Sequence, residues 1–223
     1  PVTELHYTQV DKLVEMYIGF FGRAVENEGL NYHKDNLLQL LQSGLNEQQA
    51  FETVANGFWG AALQYNQITG YTASMSNFDF VSKVYANVLG RPDAAKTDVS
   101  GIQGWVSVMK AGQHSQGEMV LKILDGAHDY IRDNPFDPVS KYVDSLLENR
   151  KEISLFFAES HVSGSLSGAA AINLGVEVIN RIDHTVASVE QVKAALLSDT
   201  LSDLPEIKLV GAGIEVSDYG FAV

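Results

Sequence analysis

The sequence contains no cysteine. Disulfides, thiolate zinc sites and cysteine nucleophiles are therefore excluded, although the compartment is not fixed by that absence. Basic residues are scarce: 15 lysines plus arginines stand against 28 aspartates plus glutamates, a formal net charge of -13. A chain of that sign is repelled at long range by phosphate backbones and anionic membrane surfaces. Its densest basic cluster is the pair Arg150-Lys151, so nucleic acid is not an expected partner. No run approaches the ~18 apolar residues of a membrane-spanning helix. The start, Pro1-Val2-Thr3-Glu4-Leu5-His6, has no basic region leading into an apolar core and does not read as a secretory signal peptide.

Catalytic signatures are missing too. The six histidines, His6, His33, His114, His128, His161 and His184, are scattered, and none forms the His-Glu-x-x-His zinc motif. Gly164-Ser165-Leu166-Ser167-Gly168 imitates a nucleophile elbow one position out of register, without the strand–turn–helix context that chemistry needs. No glycine-rich segment carries the lysine of a phosphate loop. The chain reads as a binding or anchoring module and not as an enzyme.

What is present is a hydrophobic share of 45%, ordinary for a chain that buries a core, arranged with helical periodicity. Leu13, Met16, Tyr17, Phe20 and Phe21 fall at i, i+3, i+4, i+7 and i+8 and predict a helix from about Thr8 that Gly22 stops. A second helix is predicted from Asn31 to Leu41, ended by Ser43-Gly44. A third is predicted from Glu47 to Tyr65, capped by Asn46 and interrupted by Gly57 and Gly60. The pattern then returns. Phe80, Val81, Val84, Tyr85, Val88 and Leu89 form one face, closed by Gly90-Arg91. Gly22-Arg23 and Gly90-Arg91 stand 90 − 22 = 68 positions apart, and Tyr17/Tyr85 and Gly44/Gly112 share that offset, with Leu37 opposite Trp105 and Leu41 opposite Met109. Several landmarks at one offset predict an internal repeat.

Asp133-Asn134-Pro135-Phe136-Asp137-Pro138 is the strongest break, because neither proline is at ease inside a helix. Beyond it, Val139 to Ala158 reads as one long helix with Tyr142, Val143, Leu146, Leu147, Ile153, Phe156 and Phe157 buried. Further helices are expected over Asn173 to Ile182 and after Ser188. Ile207–Val210 and Ile214–Val216 are short β-prone runs, read as a hairpin or as the start of a linker. The expected architecture is all-α: tandem helical repeats over 1–132, a second helical bundle over 139–203, and a β-prone tail over 204–223.

The segments Leu13-Val14-Glu15-Met16-Tyr17 through Gly22-Arg23, and Phe80 through Leu89-Gly90-Arg91-Pro92-Asp93-Ala94-Ala95, resemble an uncharacterised helical repeat domain of bacterial surface-layer proteins and type I-secreted exoproteins. Gly101 and Trp105 complete the pattern in the second copy. The first copy keeps Tyr17, Gly22, Arg23, Gly29 and Tyr32 but has Ala24-Val25-Glu26-Asn27 in place of Pro-Asp-Ala-Ala. Leu147 to Ala158 and Val178 to Leu196 resemble the segments that follow such repeats. A similar helix–Gly-Arg pattern occurs in the linker domain of cyanobacterial light-harvesting antennae, but those linkers are basic. The resemblance implies an extracellular protein at the surface of a Gram-negative bacterium that attaches through lipopolysaccharide glycan and contacts neighbouring copies of itself. It also implies type I export, whose signals end like Asp218 to Val223, an acidic residue before an apolar terminus. The calcium-binding nonapeptide repeats of such proteins are absent here. The alternative is a secreted adhesin or scaffold module that contacts another protein.

Three sets of residues are candidate sites. Trp59, Tyr65, Gln67, Tyr71 and Asn77 lie in a stretch rich in polar amides, and sugar rings stack their C–H faces on such aromatics. Trp59 is also suited to the core, and Tyr71 is expected in solvent. Asp129, Asp133, Asn134 and Asp137 offer oxygens to calcium, without the spacing of an EF-hand and with a plain turn as the competing reading. Asp93 and Asp98 form a weaker pair of the same kind. Arg23 and Arg91 have a structural explanation, since each can bond the free carbonyls of the helix it follows.

Overall fold

Apolar residues at 3.6-residue spacing make twelve α-helices and one 3-10 turn, and no strand, among the described residues of the computed structural model, which are 2–166, 168–209 and 211. The chain runs α1 (Tyr7–Phe21), α2 (Asn27–Gln42) and α3 (Glu47–Gln64), then the single turn α4 (Asn66–Thr69). It continues through α5 (Asn77–Leu89), the single turn α6 (Ala94–Thr97), α7 (Val99–Lys110) and α8 (Gln116–Asp133). Last come α9 (Pro138–Glu159), α10 (His161–Ser165), α11 (Gly168–Ile179) and α12 (Val186–Ser198). Gly57 and Gly60 do not interrupt α3. Both are exposed, and the helix runs through them because its other face, Phe51, Val54, Ala55, Phe58 and Ala62, is buried.

The starts and stops of the helices follow from local chemistry. Gly22 (φ 65, ψ 25) and Gly90 (φ 62, ψ 27) both end their helices in the left-handed region, which a side chain resists. Asn46 and Ser115 both accept from the backbone three residues on, while Gln49 and Glu118 reach back to the cap. The two helices they start, α3 and α8, are each 18 residues long. The expected break at Asp133 to Pro138 is the end of α8 and the cap of α9: Asp137 accepts from Ser140 N–H at 3.0 Å, and Pro138 occupies the first turn, where no N–H is needed.

Helix α1 packs on α5, and α3 on α8. Helix α9 lies against α1, α5 and α8 and also carries α11 and α12, so the two expected regions share one core. Its polar side chains stitch that core together. Tyr142 Oη donates to Gly90 O at 2.8 Å, and Arg150 Nη1 donates to Asn87 O at 3.1 Å. Ser154 Oγ accepts from Val25 N–H at 3.0 Å. Among the described residues no carboxylate lies against the buried Arg150, and burial pulls its pKa down to about 10. Of the expected β-prone tail, Ile207, Lys208 and Leu209 form no strand, and Ile207 N–H donates to Asn180 O at 2.7 Å. Val210 and the run from Ile214 to Val216 lie outside the described residues.

Two predictions follow from these contacts. An added Cβ at Gly22 meets nothing within 4 Å, whereas at Gly90 it collides with Leu146. Gly22→Ala is expected to cost about 1–2 kcal/mol for the left-handed backbone, and Gly90→Ala about 3 kcal/mol or more once overpacking is added. Urea titration of the two variants measures the difference. The second concerns His128, whose Nε2 lies 2.6 Å from Glu15 Oε2 and joins α8 to α1. That hydrogen bond holds the imidazole above its ordinary range against burial, with the charges of Glu15, Asp125 and Asp144 adding. A raised folded-state pKa gives stability that is complete below the ordinary histidine value of 6.5 and fades as pH rises through the folded value. The stability gap between the wild type and His128→Gln should therefore narrow on going from acid to alkaline pH. A gap independent of pH would contradict the pairing.

Candidate functional site

The two glycine–arginine corners are built alike. In each, the apolar helix places a tyrosine six residues before the arginine, and the guanidinium lies on that ring: Arg23 over Tyr17 at 5.3 Å and Arg91 over Tyr85 at 5.6 Å. Each arginine then meets a carboxylate at the N-cap position of a later helix, Glu26 before α2 and Asp98 before α7, of which only Asp98 bonds a backbone N–H of its helix. Arg91 Nη1 donates to Asp98 Oδ2 at 3.1 Å, and Arg23 Nη1 stands 3.9 Å from Glu26 Oε2. Each carboxylate sits over a glycine three residues on. A Cβ at Gly29 would come within 2.8 Å of Glu26, and one at Gly101 within 2.6 Å of Asp98. The offset grows from 91 − 23 = 68 at the arginines to 98 − 26 = 72 at the acids, a difference of four residues, the length of α6. Trp105 therefore does not stand opposite Leu37, as the constant offset implied. It stands where His33 does, 105 − 33 = 72, each ring beside the tyrosine of its corner.

The corners differ in what fills them. At the first, the Phe58 ring from α3 packs against Tyr17, Phe21 and His33 at 5.8, 5.2 and 4.8 Å. Burial pushes the Tyr17 hydroxyl far up and pulls His33 down. At the second corner there is a cavity of about 630 Å3 between α5, α7, α8 and α9. Tyr85, Trp105 and Tyr130 supply aromatic wall, Leu89, Val139 and Val143 aliphatic wall, and Arg91, Asp98 and Ser140 polar groups. The Trp105 indole lies directly on Gly126, where a Cβ would be 2.7 Å from it. Burial pushes the Tyr85 hydroxyl up, with Asp98 adding and Trp105 and Arg91 opposing.

Two groups of this wall lack partners among the described residues. Arg91 is 8% exposed and its Nε has no acceptor there, while Ser140 is 1% exposed and its Oγ has no partner there. An unmatched polar atom in such a place costs about 1–3 kcal/mol. Both atoms are also shut off from solvent, so they lie behind the cavity wall and not on its surface.

The residues expected to hold a sugar are placed otherwise. Tyr71, expected in solvent, is 0% exposed. Gly70 (φ 71) turns the chain inward after α4, and the Tyr71 hydroxyl donates to Gly19 O at 3.4 Å. Trp59 is half-buried and packs edge-on against Tyr71 and Phe80 at 5.3 and 5.4 Å. Tyr65 and Gln67 are exposed near α4, and Asn77 is half-buried at the start of α5. The structure joins Trp59 to Tyr71 as a core contact and assembles no open face from the five.

The four calcium candidates do not converge either. Asp129 and Asp133 hold Arg132 at 2.8 and 3.0 Å. Asn134 Nδ2 donates to Tyr130 O at 3.0 Å, and Asp137 caps α9. Asp98 is taken by Arg91 and Gly101 N–H, and Asp93 accepts from Thr97 Oγ1. No group of three or more histidines and acidic residues suited to a metal occurs among the described residues. Among those same residues no helix is long and apolar enough to cross a membrane. Sequence reasoning gave Arg91 a structural role only and did not select Asp98, Trp105 and Ser140 together as a binding site. The available signal was the pairing of the two capped helices, α3 and α8.

A family model described as a domain of unknown function, DUF4214, matches residues 65–128. That span holds Tyr85, Arg91, Asp98, Trp105 and Ala127, much of the cavity wall. No curated protein and no solved structure matches the chain.

Proposed function

We propose that this chain is a non-enzymatic surface-attachment module, built on a duplicated helical unit, that binds cell-surface glycan such as that of lipopolysaccharide through the cavity at its second corner. The duplication is supported by the matched left-handed glycines, the matched tyrosine–arginine–carboxylate sets and the two equally long, box-capped helices. The observation that carries the glycan reading is the cavity itself. Its aromatic wall suits the C–H face of a sugar ring. Its charged pair, Arg91 with Asp98, offers donor and acceptor side by side to vicinal hydroxyls. Attachment at the outside of a Gram-negative cell, next to further copies of the chain, comes from the resemblance of its two Gly-Arg segments to surface-layer repeats.

Retention of the full chain on immobilised lipopolysaccharide, and on the same polysaccharide freed of its lipid, tests the reading. Both matrices should retain the wild type. Arg91→Ala should lose about tenfold or more in affinity, the usual consequence of removing a charged hydrogen-bond donor. Retention only by the lipid, or by neither matrix, would overturn the glycan reading.

A further inference from the structure

We infer that the cavity is a subsite for one neutral pyranose ring, that each chain has a single such subsite, and that Ala127 is what keeps it open. The inference rests on the glycan reading and narrows it to a ligand class, a stoichiometry and a residue that decides both.

The caps Asn46 and Ser115 set the register of α3 against α8 at 115 − 46 = 69. At that offset Phe58 corresponds to Ala127, since 127 − 58 = 69, and Gly57 to Gly126. Around these positions Tyr17, Phe21 and Arg23 correspond to Tyr85, Leu89 and Arg91 at an offset of 68. The surroundings are thus the same in kind, and the side chain that enters from the third helix differs. Phe58 fills the first corner. Ala127 stops at its methyl group, and the space that remains is the cavity it lines. One corner is filled and its counterpart is hollow, which leaves one site per chain.

The chemistry of the wall selects the ligand. The volume of about 630 Å3 is in the usual range for small-ligand pockets, roughly 300–1,000 Å3. A purely apolar molecule would cover the Asp98 carboxylate, 30% exposed, without offering it a hydrogen bond. An anion gains little, because Asp98 already neutralises Arg91 and Asp137 stands at the same wall. A neutral ring with apolar faces and a rim of hydroxyls meets both demands: its faces lie on Trp105 and Tyr85, and its hydroxyls donate to Asp98 and accept from the Arg91 guanidinium.

Ala127→Phe is the direct test, because the protein already accommodates phenylalanine at the corresponding place in its first unit. Neutral methyl pyranosides, glucuronic acid and a sugar phosphate are titrated into the full chain while the two indole N–H resonances, Trp59 and Trp105, are followed. At least one neutral pyranoside should bind with one molecule per chain and move Trp105 but not Trp59. Ala127→Phe, folded by circular dichroism, should lose at least about tenfold in affinity. Tyr130→Ala trims an exposed ring of the same wall; it should keep the fold and weaken binding several-fold, so the inference stays testable if the phenylalanine variant unfolds. Tighter binding of the acidic sugars overturns the ligand class, and two sites per chain overturn the stoichiometry. Polysaccharide binding unchanged in both variants overturns the subsite while the glycan reading stands. No binding of any sugar or polysaccharide by the wild type overturns both.

Discussion

A helix that ends inside a protein must dispose of its last carbonyls and of whatever charge follows them. This chain meets that demand twice in the same way. A left-handed glycine ends an apolar helix, and the next residue, an arginine, folds back over a tyrosine one and a half turns earlier. A guanidinium taken out of water needs acceptors, since an unpaired buried charge costs several kcal/mol; Arg150 uses a backbone carbonyl, whereas the two corner arginines use a carboxylate. Glu26 and Asp98 provide it, and the Asp98 carboxylate also accepts from the Gly101 N–H at the start of α7. Through Asp98 the start of α7 is tied to Arg91, and with it the shape of the cavity that α7 lines.

The pairs are not equivalent. At 3.1 Å, Arg91 and Asp98 share a hydrogen bond as well as charge, whereas Arg23 and Glu26 at 3.9 Å share charge alone. The first corner is instead closed by rings, with Phe58 among Tyr17, Phe21 and His33, and its exit is tied to Ser154 of α9. Exchanging a buried phenylalanine for alanine costs on the order of 3–5 kcal/mol. The second corner forgoes a contribution of that size by presenting Ala127. Part of the deficit is offset by α9, which seats Tyr142 and Leu146 on Gly90.

Much of this was legible in the sequence, because it is set by neighbours in the chain. The stops at Gly22 and Gly90, the cap at Asn46 and the buried stripe of α9 are local, and periodicity with cap chemistry reports them directly. The start of α2 at Asn27 rather than Asn31 was less visible, because Ser163, far along the chain, satisfies the Asn27 N–H. Tyr71 was misplaced for a similar reason. Its neighbours are polar, and only the packing of α1 against α5, with the turn at Gly70, creates the interior it enters. The single turn α6 shifts the register by four residues, so a constant offset paired Trp105 with the wrong partner. A cavity leaves still less trace: nothing around Ala127 in the sequence marks the space it borders.

The central claim is that the second corner is hollow in order to hold a sugar ring against Trp105. Intermolecular nuclear Overhauser effects between a bound pyranose and the two indole rings test it most directly. Contacts from the sugar C–H protons to the Trp105 indole and the Tyr85 ring, with none to Trp59, are the predicted result. Contacts confined to Trp59 and the exposed aromatics near α4, with Trp105 silent, would contradict it.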